Sequence, residues 1–383
     1  MRRLLLLVGA IVLVDMAFYS AIVPLLPAYE HRFGISKAAA GLLAGSYAAG
    51  TLLAALPSGW IAARVGARRV VVAGMVVTAA ATLGFAFARS VPALDATRFL
   101  QGLGGSFTWT GALGWLLACT PAPQRGRTIG IALSAALAGL LLGPVLGTLA
   151  REAGAEAPFS AVAAVGAALV VAALAQPAPP RSVGGQRLLA TALANARIRT
   201  GMALVAVLAG VFGALNLLSP LQLDRLGAGG VAIGATFVIA AAIEGVAQVA
   251  IGHVADRRGR ALPLRIGFAV AAGAMLLLPL AHAAWVFAVL LIVASVMCGS
   301  LNTPAIALVS DGVEHAGGDQ AFGFALVNLT WAAGQLLGAL AGGAVAQATG
   351  LTTPFLLLGA ICAAALIGIA RAARRAPAAG QAA

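Results

Sequence analysis

Asp15, Glu244 and Arg98 are ionisable residues, and each is flanked on both sides by long apolar runs. A charged side chain in the middle of a bilayer costs about 2.5–3.5 kcal/mol on insertion scales, so such residues face polar cavities, pair with one another, or mark ion pathways. A carboxyl that takes a proton from one side and releases it when a second ligand arrives is a minimal exchanger. Asp15 fits that role, with Tyr19 one turn further on the same helix face. Glu244, with Gln248 four residues on, offers a second proton or cation site. The plainer reading of both carboxyls is hydrogen bonding between neighbouring helices. Arg98 has Asp95 three residues before it. It is either a cavity cation acting on Asp15 or half of a local Asp95–Arg98 pair reaching towards the interface.

Asn216, Asn302 and Asn328 add polar atoms to three other apolar segments, while Trp109, Phe107 and Trp331 are either cavity walls or packing. The histidines His31, His253, His282 and His315 and the cysteines Cys119, Cys298 and Cys362 are scattered, which gives no disulfide framework and no metal spacing. Gly102-Leu-Gly104-Gly105-Ser106 is no phosphate loop, because it lies inside a helical run with no strand before it and no lysine after it.

The chain is 61% hydrophobic and 9% charged, with a mean hydropathy of +1.01. A water-soluble globule has about a quarter of its residues charged, so this chain belongs in a bilayer. Crossing the hydrocarbon takes about 20 apolar residues. Twelve such stretches are expected, at 4–28, 36–63, 70–88, 91–119, 127–150, 157–176, 199–221, 229–255, 262–281, 284–309, 321–347 and 351–371. Met1-Arg2-Arg3 resembles the start of a signal peptide, but the apolar run continues past Asp15 with no small-residue cleavage site, so an uncleaved first span is expected.

The net charge of +13 reads as topology rather than as a nucleic-acid surface. Loops on one side carry 18 arginines, including Arg2, Arg64, Arg125, Arg181, Arg257 and Arg371, against 5 basic residues (Arg32, Lys37, Arg89, Arg151, Arg225) on the other. Basic short loops stay in the cytoplasm. Both termini are therefore expected there, in the plasma or inner membrane.

Gln176-Pro-Ala-Pro-Pro-Arg-Ser-Val-Gly-Gly divides six spans from six. The expected organisation is a bundle at 1–176, a linker at 177–197, a second bundle at 198–375 and a tail at 376–383. Arg187–Arg199 is either a short amphipathic surface helix or an extension of span seven. The halves repeat each other in parallel, related by an axis along the membrane normal. Gly59-Trp-Ile-Ala-Ala-Arg64-Val-Gly66-Ala-Arg68 returns as Gly252-His-Val-Ala-Asp256-Arg257-Arg258-Gly259-Arg260. Gly139, Gly143 and Gly147 return as Gly334, Gly338 and Gly342. Glycine at every fourth position leaves a groove for a neighbouring backbone.

With these loops, Arg98-Phe-Leu-Gln101-Gly102-Leu-Gly104, Gly139-x-x-x-Gly143-Pro144-x-x-Gly147, and Asp15 followed by Pro24 and Pro27, the chain resembles the major facilitator superfamily over essentially its whole length. Within it, the chain resembles the twelve-helix drug:proton antiporter branch, and helix one is similar to the vesicular amine transporters and their bacterial relatives. The resemblance implies an all-α membrane protein of two pseudo-symmetric six-helix bundles. It implies a proton relay in which Arg98 acts on Asp15; the family motifs do not fix Glu244, which the residues alone offer as a second coupling group, and the candidate substrate contacts are Asp15, Tyr19, Gln101, Asn216, Gln248, Asn328 and Trp331. Where the amine transporters carry acids, this chain has Asn216 and Asn328.

The expected function is proton-coupled efflux of small lipophilic or cationic compounds by alternating access. The protein would act as a monomer, with a proton gradient in place of any cofactor and no nucleic-acid partner. Transport of a polar metabolite such as a sugar or amino acid is the alternative, and a transport-inactive receptor or membrane enzyme the remote one. No nucleophile–base pair or soluble catalytic domain is visible.

The two loop copies differ. The second keeps Asp256, whereas the first has Ala63 where the family carries an acid. That acid holds the cytoplasmic side closed in the family by facing a helix N-terminus, a contact of about 0.3–1 kcal/mol when exposed and up to ~2 when partly buried. One complete latch of two predicts a resting bias towards the inward-open state.

Overall fold

The computed structural model describes residues 2–121, 124–178, 195–316 and 320–375. Its helices are α1 (Arg2–Ala21), α2 (Leu26–Phe33), α3 (Lys37–Val65), α4 (Ala67–Ala86), α5 (Val91–Cys119), α6 (Arg125–Ala153), α7 (Glu156–Leu174), α8 (Ala196–Arg225), α9 (Gly230–Arg258), α10 (Ala261–Leu277), α11 (Ala284–Ser300), α12 (Asn302–His315), α13 (Gln320–Thr349) and α14 (Thr352–Arg375). There is no strand among the described residues.

These helices form twelve rods, because α1 continues into α2 and α11 into α12. Eleven rods are long and apolar enough by themselves to cross a membrane. The remaining one, α5, holds Asp95, Arg98 and Gln101. Large apolar side chains such as Val171 and Val246, 67% and 73% exposed, form the outer surface that lipid covers. The chain is a multi-pass membrane protein.

Two expected spans run longer than their apolar stretches suggest, and proline accounts for both interruptions. The first reaches Phe33 after a 3-10 turn at Val23–Leu25, where Pro24 has no N–H to give the preceding turn. The tenth reaches His315 after a break at Leu301, and Pro304 likewise withholds its donor. Asn195 starts α8 by accepting hydrogen bonds from the Arg197 and Ile198 amides, so Arg197 and Arg199 belong to that helix. Most of the expected linker and amphipathic segment, at 179–194, and the tail at 376–383 lie outside the described residues.

The glycine repeats mark the tightest packing. A Cβ on Gly139, Gly143 or Gly147 of α6 would strike the backbone oxygens of Leu13, Ala17 and Ala21 of α1. In the second half, Gly334 and Gly338 of α13 meet the carbonyls of Ala206 and Gly210 on α8, and Gly342 lies against Ala214. The pair α1/α6 thus has its counterpart in α8/α13. Gly66 and Gly259 occupy equivalent loop positions with φ of 93° and 79°, a region that residues with a Cβ rarely enter.

Polar contacts between the halves cluster at the end away from those two loops. Asp224 of α8 accepts from Arg151 of α6 at 2.9 Å and pairs with His31 of α2 at 2.8 Å. Arg225 stands 3.8 Å from Glu30, and Gln347 accepts from the Lys37 amide at 3.0 Å. Nearby, α3 and α13 approach closely through Gly41 and Gly343.

Candidate functional site

Asp15 is the centre of a hydrogen-bonded cluster in the middle of the first half. It is 2% exposed. Its Oδ2 accepts from the Tyr47 hydroxyl of α3 at 3.2 Å and from the Trp109 indole N–H of α5 at 2.9 Å. The helices come this close because α5 is notched by glycine on several faces. Gly102 lies against the Tyr47 carbonyl, Gly104 against Gly74 of α4, and Gly105 beneath the Tyr47 hydroxyl and Asp15 Oδ1. The Arg-x-x-Gln-Gly-x-Gly run is therefore a packing device around Asp15.

Arg98 is buried at 2% exposure and turns inward. Its guanidinium donates to the carbonyls of Phe18 and Tyr19 at 3.0 and 3.2 Å and to Gln101 Oε1 at 3.1 Å, and it lies 5.1 Å from the Tyr47 ring centroid. Those carbonyls belong to the last turn of α1, where a helix end leaves acceptors short of donors and favours a cation. The local Asp95–Arg98 pair does not form. Arg98 meets Asp15 through the helix backbone and Tyr47 rather than through a direct ion pair.

Gln101 is not on a cavity surface as expected. It is 1% exposed, accepting from Arg98 and donating to Thr82 Oγ1 at 3.1 Å, which makes it the residue that orients the guanidinium.

Tyr19 joins the halves. Its hydroxyl accepts from Gln335 of α13 at 2.6 Å, Asn216 of α8 approaches the same oxygen, and its ring tilts against Tyr47 and Trp331 at centroid distances of 5.1 and 5.4 Å. Tyr19, Asn216 and Trp331 therefore come together in the structure. Asn328 does not join them, since its side chain is exposed. Glu244 is 7% exposed; Gln248 donates to it at 3.0 Å, and its carboxyl rests on Gly299 of α11.

The loop residues act within their own halves. Arg64 stacks 3.5 Å from the Trp60 ring centroid. Arg68 donates to the carbonyl of Gln176, just beyond α7, at 2.6 Å and to that of Leu174, its last residue, at 3.4 Å. Arg260 pairs with Asp311 of α12 at 2.7 Å. Gly59 faces open space and Gly252 has only Thr303 nearby, while Arg257 is exposed. The Asp256 side chain lies outside the described residues. Pro144 sits inside α6, its carbonyl accepting from Thr148 at 2.8 Å.

Sequence reasoning missed Tyr47 and Gln335. Tyr47 stands beside Ser46 in an otherwise apolar stretch, and Gln335 directly follows Gly334 of the repeat. Both were legible as polar interruptions of a span. Among the described residues no group of His, Cys, Asp and Glu could hold a metal.

Residues 8–319 match the Major Facilitator Superfamily family profile. The chain belongs to that superfamily. It is 34% identical to the MFS-type transporter ppzB of Metarhizium majus over 30% of this chain, and 35% identical to a probable vesicular acetylcholine transporter-B of Danio rerio over 43%. Those stretches span 26% and 36% of the relatives' own lengths.

The fold is similar to a bacterial homolog of the human lysosomal transporter Spinster in an inward-facing, occupied conformation. The TM-score is 0.78 at 16% identity, covering 97% of this chain and 96% of that one. It is also similar to a D-xylose-proton symporter, with a TM-score of 0.75 at 18% identity over 96% and 95% of the two chains.

Proposed function

We propose that this transporter is a proton-coupled exporter of small lipophilic or cationic compounds, with Asp15 as the group that exchanges proton for substrate. The observation that carries this reading is the Asp15 cluster: a buried carboxylate held by Tyr47 and Trp109, one turn from a tyrosine that touches the opposite half. Aromatic faces of Tyr19, Tyr47 and Trp331 beside a carboxylate suit a lipophilic cation. Glu244 with Gln248 supplies a second carboxyl in the other half.

The proton gradient is the energy source, with no bound cofactor and no nucleic-acid partner, and the working unit is one chain in the plasma membrane. With the basic loops and both termini in the cytoplasm, the Asp224 contacts lie at the outer end, the side that a resting inward-facing state keeps closed. The two halves rock about the Tyr19–Gln335 contact. Protonation changes the relative free energy of the two states.

The test is efflux from proteoliposomes. An imposed pH gradient drives export of a lipophilic cation in the native protein, and Asp15→Asn abolishes that drive. Flux indifferent to the gradient, or unchanged in Asp15→Asn, overturns the reading.

A second reading, transport of a polar metabolite, draws on the neutral amides Gln335 and Asn216 at the Tyr19 hydroxyl and on the fold shared with a D-xylose-proton symporter. Protection from thermal unfolding separates the two: lipophilic cations protect under the first, sugars under the second.

A further inference from the structure

Behind Asp15, inside the first half, a small cavity is lined by residues of α1, α4, α5 and α7. Its walls include Phe18, Met75 and Ala79 together with Asp15, Thr78 and Thr108, which carry the oxygens Asp15 Oδ1, Thr78 Oγ1 and Thr108 Oγ1. All three atoms are buried and without a hydrogen-bond partner, and their residues are 2%, 6% and 2% exposed. Orphaned oxygens of this kind are rare and costly in a folded protein, so three around one cavity are a coherent feature.

The two threonines are unusual for this chain. A helical threonine ordinarily donates to the carbonyl four residues back, as Thr97, Thr148, Thr236 and Thr330 do. Thr78 and Thr108 do not. Around them α4 and α5 pack reciprocally: a Cβ on Gly104 would strike the Thr78 hydroxyl, and one on Gly74 would lie 2.7 Å from the Thr108 hydroxyl. The two glycines let the helices close on each other and bring both hydroxyls to the interface.

We propose that this cavity is a binding site for a single water molecule held by Asp15, Thr78 and Thr108. The volume open to the centre of a water is about 10 Å³, at the lower edge of the ~10–15 Å³ that one molecule needs, and a buried water takes 2–4 polar partners. Three side-chain oxygens are too few to coordinate a metal cation in their place, which takes six or more oxygens in hard-cation sites.

The water divides the carboxyl between two clients. Oδ2 faces Tyr47 and Trp109, and Oδ1 faces the water. An ionised Asp15 accepts from all three. A protonated Asp15 needs an acceptor for its new O–H; the Trp109 indole can only donate, and the Tyr47 hydroxyl can accept only by turning its own hydrogen away from Asp15. The water accepts that hydrogen and turns its own towards the threonine oxygens, so both protonation states are satisfied without moving a helix. The site stands on the geometry of the N-terminal half and does not depend on the direction or substrate of transport.

The experiment compares thermal unfolding of the full-length protein in detergent with Thr78→Val, Thr108→Val and the double variant. Valine keeps the shape and removes the hydroxyl. With the water present, each single variant unfolds about 2–4 °C lower, and the double variant falls little further, because either change already loosens the shared molecule. A higher Tm in the single variants means that orphaned hydroxyls were removed and overturns the proposal. Unchanged or strictly additive values overturn it as well, since independent hydroxyls need no common partner. An experimental map that resolves ordered solvent gives a second readout. One peak within hydrogen-bond reach of all three oxygens in the native protein, lost in the double variant, is expected; an empty cavity in the native protein overturns the site.

Discussion

The indole of Trp109 donates to Asp15 Oδ2 at 2.9 Å, tying the middle of α5 to the middle of α1. Trp109→Phe keeps a ring of related shape and deletes the donor. A hydrogen bond to a charged group contributes about 1.5–3 kcal/mol, so gradient-driven flux in proteoliposomes falls by about tenfold or more. Initial rates measured at fixed protein density check this, and a native rate shows that Trp109 only fills space.

Arg98 spans the Phe18 and Tyr19 carbonyls and Gln101 with one planar fork. Lysine presents a point charge on a flexible stem and cannot make that set of contacts. Arg98→Lys therefore lowers stability by about 1–3 kcal/mol and slows transport, although the charge is retained. Gln101→Leu, which frees the fork on one side and orphans Thr82, moves transport in the same direction by a smaller amount. Thermal unfolding paired with flux measurements reads both effects.

Much of this architecture was legible in the sequence. Apolar stretches and turn residues located the twelve rods, and the matched glycines of α6 and α13 announced the symmetry between halves. What periodicity could not supply was the direction in which each polar side chain points. Gln101 follows Arg98 by one turn and reads equally as a ligand contact or as a brace; only the position of Thr82 on α4 decides. Tyr47 sits in a helix whose apolar residues surround it, so nothing local marks it as a partner of a carboxylate 32 positions earlier. Asn328 and Asn216 look equivalent in sequence, yet the turn of α13 sets one aside. Long-range placement of this kind depends on which helices the glycine contacts bring together.

Glycine substitutions grade that dependence. A methyl group on Gly102 meets the Tyr47 carbonyl, whereas one on Gly59 meets nothing within 4 Å. Overpacking costs about 1–3 kcal/mol and sometimes more. Gly102→Ala therefore lowers the unfolding temperature and displaces Tyr47 from Asp15, while Gly59→Ala leaves stability unchanged or slightly raised, as alanine favours helix over glycine. Equal effects at the two positions contradict the packing described for α3 and α5.

Asp224 binds Arg151 and His31 from the opposite half, so Asp224→Asn weakens the closed end. Spin labels across that end should show a broader distribution extending to longer distances. At the other end Ala63 is exposed, and Ala63→Asp restores the acid missing from the first loop copy and shifts the protein towards closure there. Distances that stay the same in both variants sink the idea that these positions set the resting state.

Where α3 crosses α13, the meeting residues are Gly41 and Gly343, and where α9 meets α6 they include Gly234 beside Thr148. At a contact such as Gly41 against Gly343, no long side chain has to withdraw from a partner's groove before the helices part. The halves can therefore separate along smooth tracks, and the few charged contacts at the rim decide which state is populated without adding much friction to the change between them. Substituting larger residues along these tracks should act chiefly on the rate of interconversion and only secondarily on its endpoint.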